Sequence, residues 1–185
     1  MVATLTRRLF TVDEYQRMGE VGILTEDDRV ELIEGDIVAM SPIGPSHSWC
    51  VNRLTQLMVV LVIGRGAVVS VQNPIRLVGE SEPQPDLVVV RAGADQRSTP
   101  RPSDVLLVLE VSDSSLAYDR GVKLPLYAAS AIPESWVVDL DGESMERYTD
   151  PRDGLYRQTT LARRGETLSS TTVAGLTFDV DAVLG

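Results

Sequence analysis

The spacing of hydrophobic and polar positions predicts a helix and then a hairpin near the start of the chain. Thr11 and Glu14 form a capping-box pattern, which predicts a short helix ending at about residue 18. Apolar residues alternate with charged ones over residues 29–40, a pattern typical of two antiparallel strands. Gly35-Asp36 is a suitable dipeptide for the turn between them.

A second helix and a series of strands follow the hairpin. Ser46 is predicted to cap this helix, and its apolar positions follow helical spacing at Cys50, Val51, Leu54, Leu57, Met58, Leu61 and Val62. Gly64 and Gly66 are predicted to end it. Short apolar runs then predict strands over residues 67–71, 75–78, 86–91 and 105–111. Residues 92–104, rich in Gly, Pro, Ser and Arg, predict a loop.

The last third of the chain predicts one more helix and a meander. Helical spacing extends over residues 116–130, although Gly121 and Pro125 weaken it; Pro125 fits best in the first turn of a helix that starts near Val122. Later apolar runs predict strands over residues 135–140, 143–149 and 155–161. The order of elements predicts an α/β fold with a mixed central sheet flanked by helices, preceded by a helix and a hairpin.

Composition limits the class of protein. The chain has 185 residues, of which 43% are hydrophobic and 24% charged, so we expect a single globular domain over residues 1–185. The single cysteine, Cys50, excludes an internal disulfide and a cysteine-built zinc site. No apolar run approaches the roughly 20 residues that a membrane helix needs. The first eight residues do not resemble a secretion signal, so we expect a cytoplasmic protein without membrane contact.

Charge adds two observations. The net charge of -10 argues against unspecific adhesion to nucleic acid, but it leaves room for a local basic groove. Sixteen of the 17 basic residues are arginines, and Lys123 is the one lysine. Lysine carries a compact charge with a tunable pKa, whereas arginine stays charged, so a lone lysine indicates either a chemical requirement or an accident of codon usage.

Two carboxylates interrupt the predicted apolar strands. Asp86 opens one strand and Glu110 lies near the end of the next. A carboxylate in such surroundings is costly unless it is paired or binds a cation, and two on adjacent strands suit Mg²⁺. With Lys123 beside them, these groups are typical of metal-assisted phosphodiester hydrolysis. The alternative is structural: Asp86 caps a turn, and Glu110 forms a buried salt bridge with Lys123 or Arg120.

Several segments, in order, resemble the Uma-type restriction-endonuclease-like family of the PD-(D/E)XK nuclease superfamily. The segments cover nearly the whole chain and read VELIEG (30–35), MSP (40–42) followed by His47, PDLVVV (85–90), LEVS (109–112), YDRGVKLPLYA (118–128), IPESWVVD (132–139) and AGL (174–176). In the commonest superfamily motif a lysine lies two residues after the second acid. Ser112 occupies that position here, and Lys123 on the next helix matches the displaced lysine of this family.

The resemblance implies a metal-dependent DNA endonuclease. It assigns Asp86 and Glu110 as ligands of Mg²⁺, or of Mn²⁺ as a substitute, together with the main-chain carbonyl of Val111. Lys123 would then orient the attacking water and stabilise the charge of the transition state. Restriction-like enzymes often cut both strands as two-fold dimers, so a homodimer is expected, with residues 143–172 as a candidate interface.

Further site candidates are weaker. Glu31 and Glu34 lie three residues apart on one strand and therefore point to opposite faces, and we favour Glu31 as the one in the site. A surface role for Glu31 stays open, within an acidic segment over residues 26–36 that reads as solvated. His47, Gln72, Ser112 and Arg120 are possible cleft or phosphate contacts. Asp119 more simply caps a helix or pairs with an arginine, and Trp136 and Tyr127 read as core aromatics.

Other functions stay open at this point. The protein could be a non-catalytic binding or assembly module on the same fold, or could cut RNA or another phosphodiester. The sequence contains neither a serine-hydrolase pattern nor a phosphate-binding glycine loop, so no nucleotide cofactor is expected. The arginines available to contact phosphates are Arg91, Arg97, Arg101, Arg120, Arg152, Arg157, Arg163 and Arg164.

Overall fold

The computed structural model describes residues 6–25 and 27–185. Glu26 lies outside these residues. So does most of the N-terminal segment that does not resemble a secretion signal. The elements in chain order are α1 (Val12–Glu20), β1 (Val30–Ile33), β2 (Asp36–Ala39), α2 (Pro45–Val62), β3 (Ala67–Val71), β4 (Leu87–Arg91), β5 (Val105–Ser112), α3 (Leu116–Tyr118), α4 (Leu124–Ala129), β6 (Glu134–Asp139), β7 (Ser144–Arg152), β8 (Leu155–Arg163), β9 (Thr167–Ser169), β10 (Thr177–Asp179) and α5 (Val180–Leu184).

A six-stranded mixed sheet forms the centre of the protein. Its strand order is β3-β4-β5-β6-β7-β8, and only the β5–β6 pair is parallel. The parallel pair requires a crossover, which the helical segment between residues 116 and 129 supplies. The expected α/β class, mixed sheet, N-terminal helix and hairpin are all present.

The central strands β4 and β5 are buried on both faces, and the alternation of side chains decides which helix each residue meets. On β4, Leu87 and Val89 join the core that contains α2 and α5, while Val88 and Val90 join the core that contains α4. Burial on both faces explains why β4 and β5 are almost continuously apolar. Val108 of β5 also belongs to the α4 core, so Glu110, two residues further on, points to the same face.

The hairpin is present, but its turn lies one residue earlier than predicted. Ile33 pairs with Asp36, so the two turn residues are Glu34 and Gly35. Both have positive φ, 49° and 82°, as a type I′ turn requires. Asp36 therefore belongs to β2 and cannot serve in the turn.

Two further boundary predictions are wrong. Gly44 rather than Ser46 is the N-cap of α2, and Pro45 occupies the first turn, where its missing N–H costs no hydrogen bond. Residues 75–78 form no strand in the structure. Ile75 N–H and Leu77 N–H donate to the Pro83 and Ser81 carbonyls within one loop, because the segment folds back on itself. The Arg76 N–H donates instead to the Pro100 carbonyl.

The helix predicted over residues 116–130 is interrupted by a π-helical turn. α3 continues through Asp119–Lys123, which is π-helical, into α4. Pro125 has no N–H to donate to the carbonyl of Gly121 four residues earlier. The π-helical turn, which is wider than an α-helical turn, lies at this point. This π-helical turn contains Lys123. Within the described ranges, no helix has the length and apolar character needed to cross a bilayer.

Candidate active site

The register of β4 and β5 brings Asp86 and Glu110 together. Leu87 pairs with Leu109, so one step further along the antiparallel ladder Asp86 lies opposite Glu110. Paired residues of adjacent strands project to the same face. The Val111 N–H donates to Asp86 Oδ2 at 2.9 Å, which fixes one carboxylate against the strand that carries the other.

Lys123 joins Glu110 to a third carboxylate. Its Nζ lies 3.2 Å from Glu110 Oε1 and 3.5 Å from Glu31 Oε2, and its side chain is only 8% exposed. Burial alone would lower the pKa of this ammonium, but the surrounding carboxylates, Glu110 and Glu31 foremost, outweigh that effect and raise it. The charged ammonium is therefore the favoured form, and Lys123 is placed to donate hydrogen bonds.

Glu110 is a deeply buried acid of the group. Burial raises the pKa of its carboxyl to about 8, although the Lys123 ammonium and the Tyr127 hydroxyl both act to lower it. Tyr127 donates its hydroxyl hydrogen to Glu110 Oε1. Tyr127 is fully buried, as expected for a core aromatic, but this bond gives it a second role as a support for Glu110.

Glu31 arrives from the hairpin and is held by groups from two other segments. The Tyr118 hydroxyl donates to Glu31 Oε1 at 3.1 Å, and the Gln84 N–H donates to Oε2 at 3.2 Å. Glu31 is buried, whereas Glu34 is exposed. Glu31 lies on β1 beside Lys123, whereas Glu34 lies in the turn rather than on the same strand as predicted.

Asp86 has partners from two other elements. His47 Nε2 lies 3.1 Å from Asp86 Oδ2, and Gln72 Nε2 donates to Oδ1 at 3.4 Å. The hydrogen bond to Asp86 raises the pKa of His47, against the lowering effect of burial. Gln72 has a left-handed backbone, with φ of 49°, which is a strained conformation of the kind that collects at functional sites.

These side chains line one cavity of about 610 Å³ between the hairpin, the start of α2 and the π turn. Its wall carries two basic side chains, Arg29 and Lys123, and six acidic ones: Asp28, Glu31, Asp86, Glu110, Asp113 and Asp119. The formal charge of the wall is therefore two minus six, or -4, with His47 neutral. Such an excess of oxygen donors favours a bound cation.

The donor set fits Mg²⁺ better than a metal that needs an all-protein cage. Over residues 6–25 and 27–185, no three His, Cys, Asp or Glu side chains converge as a metal-binding group. Asp86 and Glu110 supply two carboxylates, and Val111 lies on the same wall. Mg²⁺ usually takes one or two carboxylates and completes its shell with water and substrate oxygens.

Two of the predicted cleft residues lie elsewhere. Arg120 pairs with Glu146 at 2.5 Å and with Asp139 at 3.5 Å, away from the cavity wall. Ser112 is fully buried and donates to Asp119 Oδ2 at 2.8 Å. Asp119 follows α3 as its C-cap residue but does not pair with an arginine; its carboxylate accepts hydrogen bonds from Ser112 and Ser115 and lines the cavity.

The structure also adds residues that the sequence reasoning missed. None of the eight arginines proposed for phosphate contact lines the cavity; Arg29 does. Tyr118 and Gln84, which hold Glu31, were also missed, and the buried Glu31 shows that the acidic segment is not wholly solvated. The one sequence signal that pointed to Arg29 was its proximity to Glu31 in the chain.

The fold and the arrangement of Asp86, Glu110 and Lys123 indicate the class of protein. A mixed sheet that presents two carboxylates from adjacent strands to a helical lysine is the arrangement that the PD-(D/E)XK resemblance implies. Residues 12–181 match the Uma2 family, described as "Putative restriction endonuclease", and the chain belongs to that family. The resemblance drawn from the sequence is thereby confirmed.

A solved structure supports the fold. The chain is similar to a crystal structure from Anabaena variabilis ATCC 29413, described as "a putative nuclease belonging to DUF820". The TM-score is 0.74 at 14% sequence identity, over 95% of this chain and 97% of that one. No curated protein matches the sequence.

Proposed function

We propose that the protein is a metal-dependent endonuclease that hydrolyses phosphodiester bonds of DNA. One observation carries the proposal: the only lysine of the chain is buried between Glu110 and Glu31, in a cavity that also presents Asp86. Family membership supports a nuclease, and the acidic wall supports a cation.

Asp86, Glu110 and the Val111 carbonyl would hold Mg²⁺, with Mn²⁺ as a substitute. When bound, the ion supplies positive charge that polarises a phosphodiester oxygen and lowers the pKa of water. Glu110 must be ionised to bind it, and the neighbouring Lys123 ammonium acts in that direction.

The protein residues position the substrate and the attacking water. Lys123 stays protonated, so it donates hydrogen bonds to the water or to the charge that develops on phosphate oxygens. Glu31 and Glu110 both hold Lys123 through its ammonium group. His47 Nδ1 is buried and has no partner among the described residues, which leaves it available to a phosphate oxygen.

Purified protein incubated with supercoiled plasmid tests the proposal. We expect nicking with Mg²⁺ or Mn²⁺ and none with chelator, and loss of nicking in Glu110→Ala and Lys123→Ala. Glu34→Ala, an exposed acid on the same hairpin, is the matched control and should cut normally. Nicking that persists in both site variants would identify a contaminant and remove the claim. Single-stranded DNA and RNA, run in parallel, identify the substrate form.

We also propose a homodimer that works in the cytoplasm, because two active sites related by two-fold symmetry can cut both strands of a duplex. The meander within residues 143–172 is the candidate interface. Sedimentation at several concentrations tests this part, and a monomer that cuts both strands would contradict it.

A further inference from the structure

We infer that Trp49 is a stacking platform for a nucleobase of the substrate strand, beside the catalytic cavity. This inference rests on the proposed function and specifies how the substrate is held. Trp49 lies on α2, and its side chain is 49% exposed, which is unusual for a residue of this size. The other tryptophan, Trp136, is fully buried in the core.

Trp49 stands between two concavities, one of which adjoins the active site. One, of about 490 Å³, is lined by Trp49, Ser46 and Asp113; the other, of about 340 Å³, lies further along α2. Asp113 also lines the catalytic cavity, so this concavity adjoins the acidic site at Asp113. Ser46 and Trp49 are about one helical turn apart, roughly 5 Å along the axis.

The neighbours of Trp49 are suited to a base rather than to an apolar partner. Asn52, Arg53 and Gln56 follow at helical spacing on the same face and line the second concavity with it. Amide and guanidinium groups offer the donors and acceptors that recognise base edges. Arg53 is already oriented, because its Nε donates to the Ala182 carbonyl at 2.9 Å.

The indole is also held in place. A Cβ added at Gly185 would come within 2.6 Å of Trp49 Cη2, which shows how closely the backbone there approaches the ring. A ring that is fixed on one edge and open elsewhere loses little conformational freedom when it stacks.

The charges around Trp49 disfavour a contact to the phosphate. The basic residues around the two concavities are Arg53 and Arg164, against the acids Asp113, Asp141, Glu143 and Asp181. Arg164 is already paired with Glu143 and Asp181. Stacking does not depend on charge, so it supplies affinity where phosphate contacts are weak. We therefore expect binding with a shallow dependence on salt.

Tryptophan emission tests this directly, in chelator so that no cutting occurs. A short oligothymidylate should quench the emission of the wild-type protein, and an abasic strand of equal length should not. In Trp49→Phe only Trp136 emits, and because it is buried the quench should disappear. Equal quenching by the abasic strand, or none by the oligothymidylate, would overturn the inference.

Affinity is measured separately by the anisotropy of a labelled oligothymidylate. Trp49→Phe keeps an aromatic face and should bind nearly as well as wild type, whereas Trp49→Leu should lose roughly tenfold or more. Equal affinity of the Leu variant would contradict a stacking role. Matching thermal melts show that each variant is folded, as expected for a half-exposed position.

Two outcomes separate this inference from the proposed function and from a protein interface. Plasmid nicking without base-dependent quenching supports the proposed nuclease function and overturns the role of Trp49. Base-dependent quenching without nicking supports the role of Trp49 and counts against the nuclease function. Emission that changes with protein concentration alone, together with a dimer in sedimentation that Trp49→Leu abolishes, would assign Trp49 to self-association instead.

Discussion

Nζ of Lys123 lies 3.5 Å from Oε2 of Glu31, so the helix after β5 and the N-terminal hairpin meet inside the candidate site. The hairpin pairs with the rest of the fold through one bridge, Leu32 to Glu82, and through hydrogen bonds such as the one from Gln84 to Glu31. The ion pair therefore links the position of the hairpin to the chemistry of the cavity.

Substituting Lys123 separates its charge from its geometry. Lys123→Arg keeps a cation but replaces a compact ammonium with a planar guanidinium, so we expect nicking to fall about 10²- to 10³-fold with the fold retained. Lys123→Ala leaves two buried carboxylates without their cation and should lower the free energy of unfolding by about 3–5 kcal/mol. Plasmid nicking and denaturant unfolding measure the two effects. An Arg variant that cuts as well as wild type would contradict the requirement for an ammonium.

Glu31 and Glu34 form a matched pair on one hairpin. Glu31→Gln removes the carboxylate that holds Lys123 and should reduce nicking by about 10- to 100-fold, as loss of a supporting partner usually does. Glu34→Gln changes an exposed residue and should leave the rate unchanged. Equal rates in the two variants would show that Glu31 has only a structural role.

Asp86 should control metal binding. At a Mn²⁺ concentration of about 100 times Kd, the wild-type protein should gain about 2.7 kcal/mol, a rise in Tm of roughly 5–10 °C. Asp86→Ala should lose this shift, and Asp153→Ala, whose side chain is 89% exposed, should keep it. Differential scanning fluorimetry with and without chelator measures this rise in Tm. A rise preserved in Asp86→Ala would show that the ion binds elsewhere.

Glu82 gives the stability of the protein a dependence on pH. Burial raises the pKa of its carboxyl, against the lowering effects of Gln16 and Arg76. A folded-state pKa above the unfolded value means that its contribution to stability is present below about pH 4.5 and is lost as the pH rises through the folded pKa. Glu82→Gln should therefore be more stable than wild type near neutral pH, with the difference shrinking toward pH 4. Unfolding midpoints across this range test the sign, and a difference that grows on acidification would contradict it.

Arg29 is the one arginine on the cavity wall in the part of the chain that the structure describes, and it should contact a substrate phosphate. Arg29→Ala should weaken binding of different DNA sequences alike and reduce the slope of log affinity against log salt by about 1. Arg97→Ala, in an exposed loop, is the control. Anisotropy titrations at several salt concentrations in chelator measure the slope, and an unchanged slope would remove the phosphate contact.

Several features of the site were predictable because they depend on local pattern. The apolar runs that become β4 and β5 are readable from composition, and a carboxylate that interrupts such a run is conspicuous at Asp86 and Glu110. A single lysine among sixteen arginines is equally visible. The partners of these residues were harder to predict, because Tyr118 and Tyr127 lie on segments whose spacing is altered by a π turn.

The sequence by itself determined the strands of the central sheet, the hairpin, the family and the residues with unusual chemistry, since each follows from short-range periodicity or residue type. Only the tertiary structure decided that Glu31 meets Lys123, that Arg120 turns toward Glu146, and that Arg29 rather than a later arginine reaches the cavity. These contacts join residues far apart in the chain. They depend on how the hairpin and helices pack on the sheet, and local periodicity carries no record of that packing.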